Sequence, residues 1–539
     1  MTRKLLFLFA LLICIQSHAQ KRNNHPDKFE VTFGETFKGT APTTIENIFY
    51  AGEKTLLIAE KRKGKYNVIV LDKDLKEEFD YNLPLDIDRV DYSLVGLSYL
   101  ESKGEMIVFL TKEGKNKGLI DLCAYSYNPA VEPQDLSVKK IATVEAEEGF
   151  LGYNEGNFSF TYSEDESKIL FSYRIDIDKE SNKQFFLIID KDLNLISEKE
   201  KVSTKSERVF GKYWIRLISN EGDIYLSSFD LSNDGKHNIY YTVHKWGKDE
   251  EMKSKKIDLG TKHLAPSNYT LKSYHDYLDD ESLTRKDPLM YPLKPLYGFT
   301  EDHNIVLSGL YTDERDRGAI GSFYTQFSFE DEESPKIHFA PMSTEMMTEV
   351  MRANRGLEGD DELKQYSAIN NLNPLHLFVE DDGSAIVFYE YENEREVRVT
   401  KSDGGYSTKT YYYYSDVIVT KHNNDGSLAW TNRIEKIQMM VGGSSFTNVS
   451  SYPVHHDGEV SLLYSNTGNA SDSRYMLYVS TIDENGELKD DEVIYDFYQD
   501  NISPMPTENE VVSSGDIILH NLKQKGFSRK RFMTRIKFK

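Results

Sequence analysis

Tyr406 and the run Tyr411-Tyr412-Tyr413-Tyr414 stand close together in a chain of 539 residues, just after Gly404-Gly405. Side chains alternate between the two faces of a β-strand, so in an extended run at least one pair of these rings is expected to reach solvent. Exposed tyrosines stack on sugars or pack against peptide at little entropic cost. Tyr406, Tyr411, Tyr412, Tyr413 and Tyr414 are therefore the candidate binding residues. The same rings would also serve as ordinary cross-strand aromatic pairs in an edge hairpin.

Groups suited to covalent or metal chemistry are fewer. Gly442-Gly443-Ser444-Ser445 lacks the spacing of the G-x-S-x-G elbow of a serine hydrolase. His455-His456-Asp457 is the only close histidine pair, and neighbours on a strand point to opposite faces and cannot easily share a metal ion. Asp176-Ile177-Asp178-Lys179-Glu180-Ser181-Asn182 alternates acidic and amide groups as a calcium loop does. It lacks the central glycine and the distal glutamate, and reads as a turn between strands. A glycosidase or lyase needs only two or three carboxylates converging on a channel, and among 88 acidic residues the sequence does not say which converge. No catalytic residue, metal ligand or cofactor is assigned.

The elements that would position these groups repeat along the chain. An acidic or glycine-containing turn followed at once by an apolar strand occurs at Gly52, Gly104, Ser167, Gly222, His303, Gly383, Gly458 and Gly515, at spacings of 52 to 81 residues. Tight hairpins demand positive φ, which glycine tolerates. A second turn lies later in the units: Asp72-Lys73-Asp74-Leu75 is echoed by Asp190-Lys191-Asp192-Leu193, and Asp425-Gly426 by Asn485-Gly486. Two registers of hairpins in four-strand units predict an all-β fold, a β-propeller of about eight blades, with seven as the alternative. The alternating strand Phe29-Glu30-Val31-Thr32-Phe33 has no hairpin partner nearby, and the last unit is a strand short. Pairing it with Arg531–Phe538 would close the last blade and remove two sheet edges.

Ile418-Val419-Thr420-Lys421, followed by Asp425-Gly426 and Trp430, resembles the blade turn of quinoprotein-like propellers. The chain as a whole resembles the uncharacterised exported β-propeller proteins of Gram-negative envelopes. The resemblance implies an architecture and no particular activity. WD dipeptides at blade spacing are absent, and quinoprotein catalysis would bring a vicinal disulfide and many tryptophans, where this chain has only Trp214, Trp246 and Trp430.

Insertions are expected at about 264–295, 343–366 and 394–416, and loops on a rigid scaffold are where binding residues usually lie. The first is rich in Tyr, Asp, Leu and Pro. The second predicts one helix, capped by Ser343 or Thr344, with Met346, Met347, Val350 and Met351 on one face and Gly356 as its stop. That face would either dock on the blades or offer a methionine patch to a partner.

Residues 1–19 read as a cleavable signal peptide: Arg3 and Lys4, an apolar core from Leu5 to Ile15, and Ser17-His18-Ala19 as the cleavage site. Ile13 stands before Cys14 where a lipoprotein peptidase needs a small residue. Residues 20–539 are then a single propeller domain whose one remaining cysteine, Cys123, is expected to be a small buried hydrophobe. The formal charge of −23 becomes −25 when Arg3 and Lys4 are lost, a field that repels nucleic acid. No transmembrane segment is expected in the mature chain. The sequence thus points to a non-catalytic binding or scaffold protein of the periplasm or outer membrane, presenting a propeller face to an envelope protein, peptide or glycan. A carbohydrate-active enzyme and a structural subunit of a surface assembly are the alternatives.

Overall fold

The computed structural model describes residues 28–539 apart from short internal stretches, the longest of them 205–214, 271–289, 356–366, 442–450 and 467–475. The signal peptide, most of the first insertion, Gly442 to Ser445, Asp457 and the helix stop at Gly356 lie outside the described residues. The chain is an all-β propeller of eight antiparallel sheets, each with four principal strands; the fifth gains one short extra strand, His263–Leu264. The strand Phe29–Phe33 completes the eighth blade, pairing antiparallel with Ser528–Phe538 from Phe29 against Phe538 to Phe33 against Thr534. The Phe29 ring is buried and meets Phe538 edge-on at 5.3 Å.

Each hairpin of the first register is the turn between the first and second strands of a blade. Gly52, Gly104, Glu166, Gly222, His303, Gly383 and Gly458 all take positive φ there, and Gly515 lies outside the described residues. The second register joins third strands to fourth. In three of these turns one aspartate accepts two backbone N–H groups: Asp72 from Asp74 and Lys76, Asp190 from Asp192 and Asn194, and Asp483 from Asn485 and Glu487. That side chain satisfies the turn's own donors, which explains why aspartate recurs at this position. Burial alone would raise the Asp190 carboxyl, but the Asn194 side chain and these N–H groups outweigh it and hold it below the usual range.

These turns also settle onto neighbouring blades. Gly426, at φ +82°, lies so close to the His338 ring that a Cβ would overlap it, and Gly486, at φ +81°, is placed the same way against Trp430. Glycine is required at both positions by backbone conformation and by space.

The chain divides into two compact units, residues 1–83, 388–419 and 430–539 in one and 84–387 with 420–429 in the other. In each, the apolar cores lie between adjacent blades. In the first unit, Ile45, Ile48 and Leu57 pack with Ile518 and Met533, and Leu463 and Val479 pack with Ile517 and Leu519. In the second, Phe109 and Leu122 meet Phe171 and Leu187, and Tyr225 and Phe229 meet Leu307 and Phe323. Covered on both faces, second strands read as continuous apolar runs. Ile305–Thr312 is buried at every position. Cys123 is buried within the second blade, where burial raises its thiol.

The helix forms at Thr344–Arg355. Ser343 is its cap: its Oγ accepts the Met346 N–H at 3.1 Å. Met347, Val350 and Met351 are buried and Met346 is half-buried, so the apolar face is docked rather than offered.

His422, at the end of the long strand Tyr406–His422, is fully buried. Its Nε2 shares a 3.0 Å hydrogen bond with Ser322 Oγ, and its ring stacks on Tyr324 at 5.5 Å. Burial, reinforced by His338 and opposed by a backbone hydrogen bond at Gly426, pushes it down to about 4. The folded state therefore holds this imidazole neutral while the unfolded chain, titrating near 6.5, takes up a proton. The resulting stability is complete above the unfolded value and is lost as pH falls toward 4, by up to about 3 kcal/mol. His422→Gln is expected to flatten the dependence of the thermal midpoint on pH between 4.5 and 7 by up to one proton. An unchanged slope in that variant would remove His422 as its source.

Candidate interaction hairpin

The third insertion is a hairpin built from the two middle strands of the sixth blade, Ala385–Thr400 and Tyr406–His422. These run to 16 and 17 residues, against eight in the blade's first strand, Leu372–Val379. At roughly 3.3 Å per residue the extra length carries the hairpin some 25 Å past the first strand. Burial follows this geometry. Ala385 to Tyr391 are all buried, whereas Glu394, Arg395, Glu396, Arg398 and Thr400 are exposed and alternate with half-buried Val397 and Val399.

The five tyrosines divide. Tyr406, at the tip, is 57% exposed, and the Arg398 guanidinium lies over its ring at 3.9 Å. Tyr411, Tyr412, Tyr413 and Tyr414 are all half-buried, so the expected exposed pair is not found among them. The reason is strand order. Their strand is internal, with Ala385–Thr400 on one side and the 14-residue strand Leu428–Val441 on the other, and neighbouring side chains cover both faces in part. Tyr406 lies closer to the tip and escapes this cover.

The root of the hairpin is held by one buried ion pair and one partly buried one. Lys436 Nζ pairs with Glu390 Oε1, and the two side chains are 0% and 6% exposed. Ser451 Oγ donates to the same carboxylate oxygen at 2.9 Å, and Lys436 donates to Gln438 Oε1 at 3.0 Å. Gln438 in turn donates to the Ser465 carbonyl. Ser451 and Ser465 belong to the seventh blade, so this network fastens the sixth blade to its neighbour. Two residues beyond Tyr414, Asp416 receives Arg433 through Nε and Nη2, both at 3.1 Å. Burial raises the Asp416 carboxyl in spite of that guanidinium. The pattern in the sequence that could have revealed these pairs is the strand Ile434-Glu435-Lys436-Ile437-Gln438. Its alternation buries Lys436 and Gln438 and exposes Ile437.

The other candidates separate. His455 is exposed and His456 half-buried, with its ring 5.9 Å from Phe538. Asp176 and Ser181 flank a turn closed by the Ile177 N–H on the Ser181 carbonyl at 3.1 Å. Among the described residues no cluster of three or more metal-ligating side chains occurs, and no helix is long and apolar enough to cross a membrane. A shallow cleft lined by Tyr240, Tyr241, Asp258, Lys262 and His263 contains one carboxylate, not the pair that glycoside hydrolysis uses.

No family model matches the chain, and no characterised protein matches its sequence. Among solved structures it is similar to the WD40 domain of SCAP from fission yeast, at 10% identity over 95% of this chain and 98% of that one, with a TM-score of 0.36. Periplasmic gluconolactonase from Pseudomonas aeruginosa is similar at 10% identity, over 87% of this chain and 96% of that one, with a TM-score of 0.30. Prolyl oligopeptidase B from Galerina marginata matches at 8% identity over 94% of this chain, with a TM-score of 0.34, and the chain spans 57% of that protein. Superpositions this loose carry no argument about activity, and the fold rests on the chain's own sheets.

Proposed function

We propose that this chain is a binding scaffold of the cell envelope, exported by residues 1–19, that engages a protein, peptide or glycan through the hairpin of its sixth blade. The observation that carries the reading is Tyr406. An aromatic ring is held out in solvent at the end of a long hairpin, with one face covered by Arg398 and its exposed remainder left as a platform. A cation over an aromatic face restrains both side chains, so the ring meets a ligand with little entropy left to lose. The ion pairs at the root keep the arm in one orientation.

Affinity capture from envelope extract with the mature chain, read by mass spectrometry and glycan analysis, tests this. A partner retained by the wild type is expected to be lost, with affinity reduced about tenfold or more, on Tyr406→Ala. The thermal midpoint should not change, because the ring is exposed. Capture undiminished by that substitution would remove the hairpin from the binding site. Recovery of shortened glycan would favour the carbohydrate enzyme instead.

A further inference from the structure

Among the described residues, part of one edge of the sixth blade's sheet has no partner strand. Leu372–Val379 precedes Ala385–Thr400 through a tight turn, the Gly383 N–H bonding to the Glu380 carbonyl at 2.8 Å. A first strand of eight residues cannot accompany a second strand of sixteen beyond its first half. Among the described residues, Glu394 to Thr400 therefore have the other hairpin arm on one side and no strand of this sheet on the other. An open edge carries a row of backbone donors and acceptors ready to pair with another chain.

The side chains along this edge are complementary to themselves. Glu394, Glu396, Arg398 and Thr400 share the exposed face, with Val397 and Val399 half-buried on the other. Neither Glu394 nor Glu396 is in an ion pair among the described residues, and Arg398, itself exposed, lies over the face of Tyr406. If the segment is laid antiparallel against a copy of itself about a two-fold axis at Val397, Glu396 of each copy faces Arg398 of the other. Glu394 then faces Thr400, and the two Val397 side chains meet on the opposite face. A slip of one pair places either Arg398 opposite Arg398, or Glu396 opposite Glu396 with Glu394 then facing Arg398. Opposite charges directly across a sheet stabilise it and like charges oppose it, so the register centred on Val397 is favoured as the one of the three with opposite charges and no like pair.

We propose that a second copy of this chain docks antiparallel along Glu394 to Thr400, joining two sixth blades into one continuous sheet. The interface is isologous, as two-fold symmetry requires. It brings two Tyr406 rings to the same side of the assembly, and it stands whatever those rings bind.

Sedimentation equilibrium of the purified chain tests the proposal. The wild type should be a dimer in reversible equilibrium with monomer. Glu396→Arg and Arg398→Glu, each placing like charges across the axis, should shift it to monomer with no change in thermal midpoint. Combining the two restores opposite charges in reversed order and should restore the dimer. Val397→Cys should give a disulfide-linked dimer under mild oxidation, without competition from buried Cys123. A wild type that is monomeric at every accessible concentration would overturn the proposal. So would single-charge variants that stay dimeric, or a double variant that stays monomeric.

Discussion

Lys436→Met is expected to destabilise the protein by about 3–5 kcal/mol, because it strands the Glu390 carboxylate in a buried site with only the Ser451 hydroxyl recorded beside it. Glu390→Leu should do comparable damage from the other side, leaving an ammonium that is fully buried. The instructive variant is the double one. Removing both charges removes both desolvation costs, and buried ion pairs replaced by apolar groups of similar size are often no less stable. The pair Glu390→Leu with Lys436→Met should therefore recover most of the loss in thermal midpoint, while Gln438 loses the Lys436 donor and Ser451 its carboxylate acceptor. Calorimetry of the four proteins closes the cycle. Equal midpoints for wild type and Lys436→Met would show that the pair is not buried in solution.

Removing the strand Phe29–Phe33 should be the most damaging change of all. It takes away five paired residues and uncovers Thr534 to Phe538 of the strand Ser528–Phe538. It also strips apolar cover from Phe532 and Ile536. Phe29→Ala alone, emptying the site where this ring meets Phe538, should cost about 3–5 kcal/mol. Hydrogen exchange localises the effect. Amides of Met533 to Phe538 should lose protection first, with those of the second and third blades little changed. A peptide of the sequence Lys28 to Gly34 added to the truncated chain should restore that protection. Unaltered exchange at the eighth blade after truncation would mean that the closing strand contributes nothing there.

The blade repeat was legible because its cause is local. A hairpin turn needs a residue at positive φ wherever it occurs, and seven of the eight expected turns show one. The legibility did not depend on glycine, since Glu166 and His303 fill the position in two blades and Leu75 and Leu193 do so in the second register. There the neighbouring acidic residues gave the turn away. The closing strand was legible because Phe29 to Phe33 alternate with no partner nearby. The half-burial of Tyr411 to Tyr414 was not, because it depends on how far Leu428–Val441 accompanies them, which is a property of strand length and register. Nor were the ion pairs at the hairpin root, since Glu390 and Lys436 lie far apart in a sequence with many charges. Which charges meet is decided only when the strands are side by side.

The pairing of Phe29 with Phe538 also bears on the order of events during synthesis. The strand made first can be placed only after the strand made last has appeared, so the eighth blade stays unfinished until the whole chain is available. Blades two to five contain only strands close together in sequence and can form as they emerge. The early segment meanwhile carries Phe29, Val31 and Phe33 with nothing to cover them. Until the last strand arrives, this uncovered apolar strand is open to pairing with other partial chains, and the hazard lasts as long as synthesis of the remaining blades.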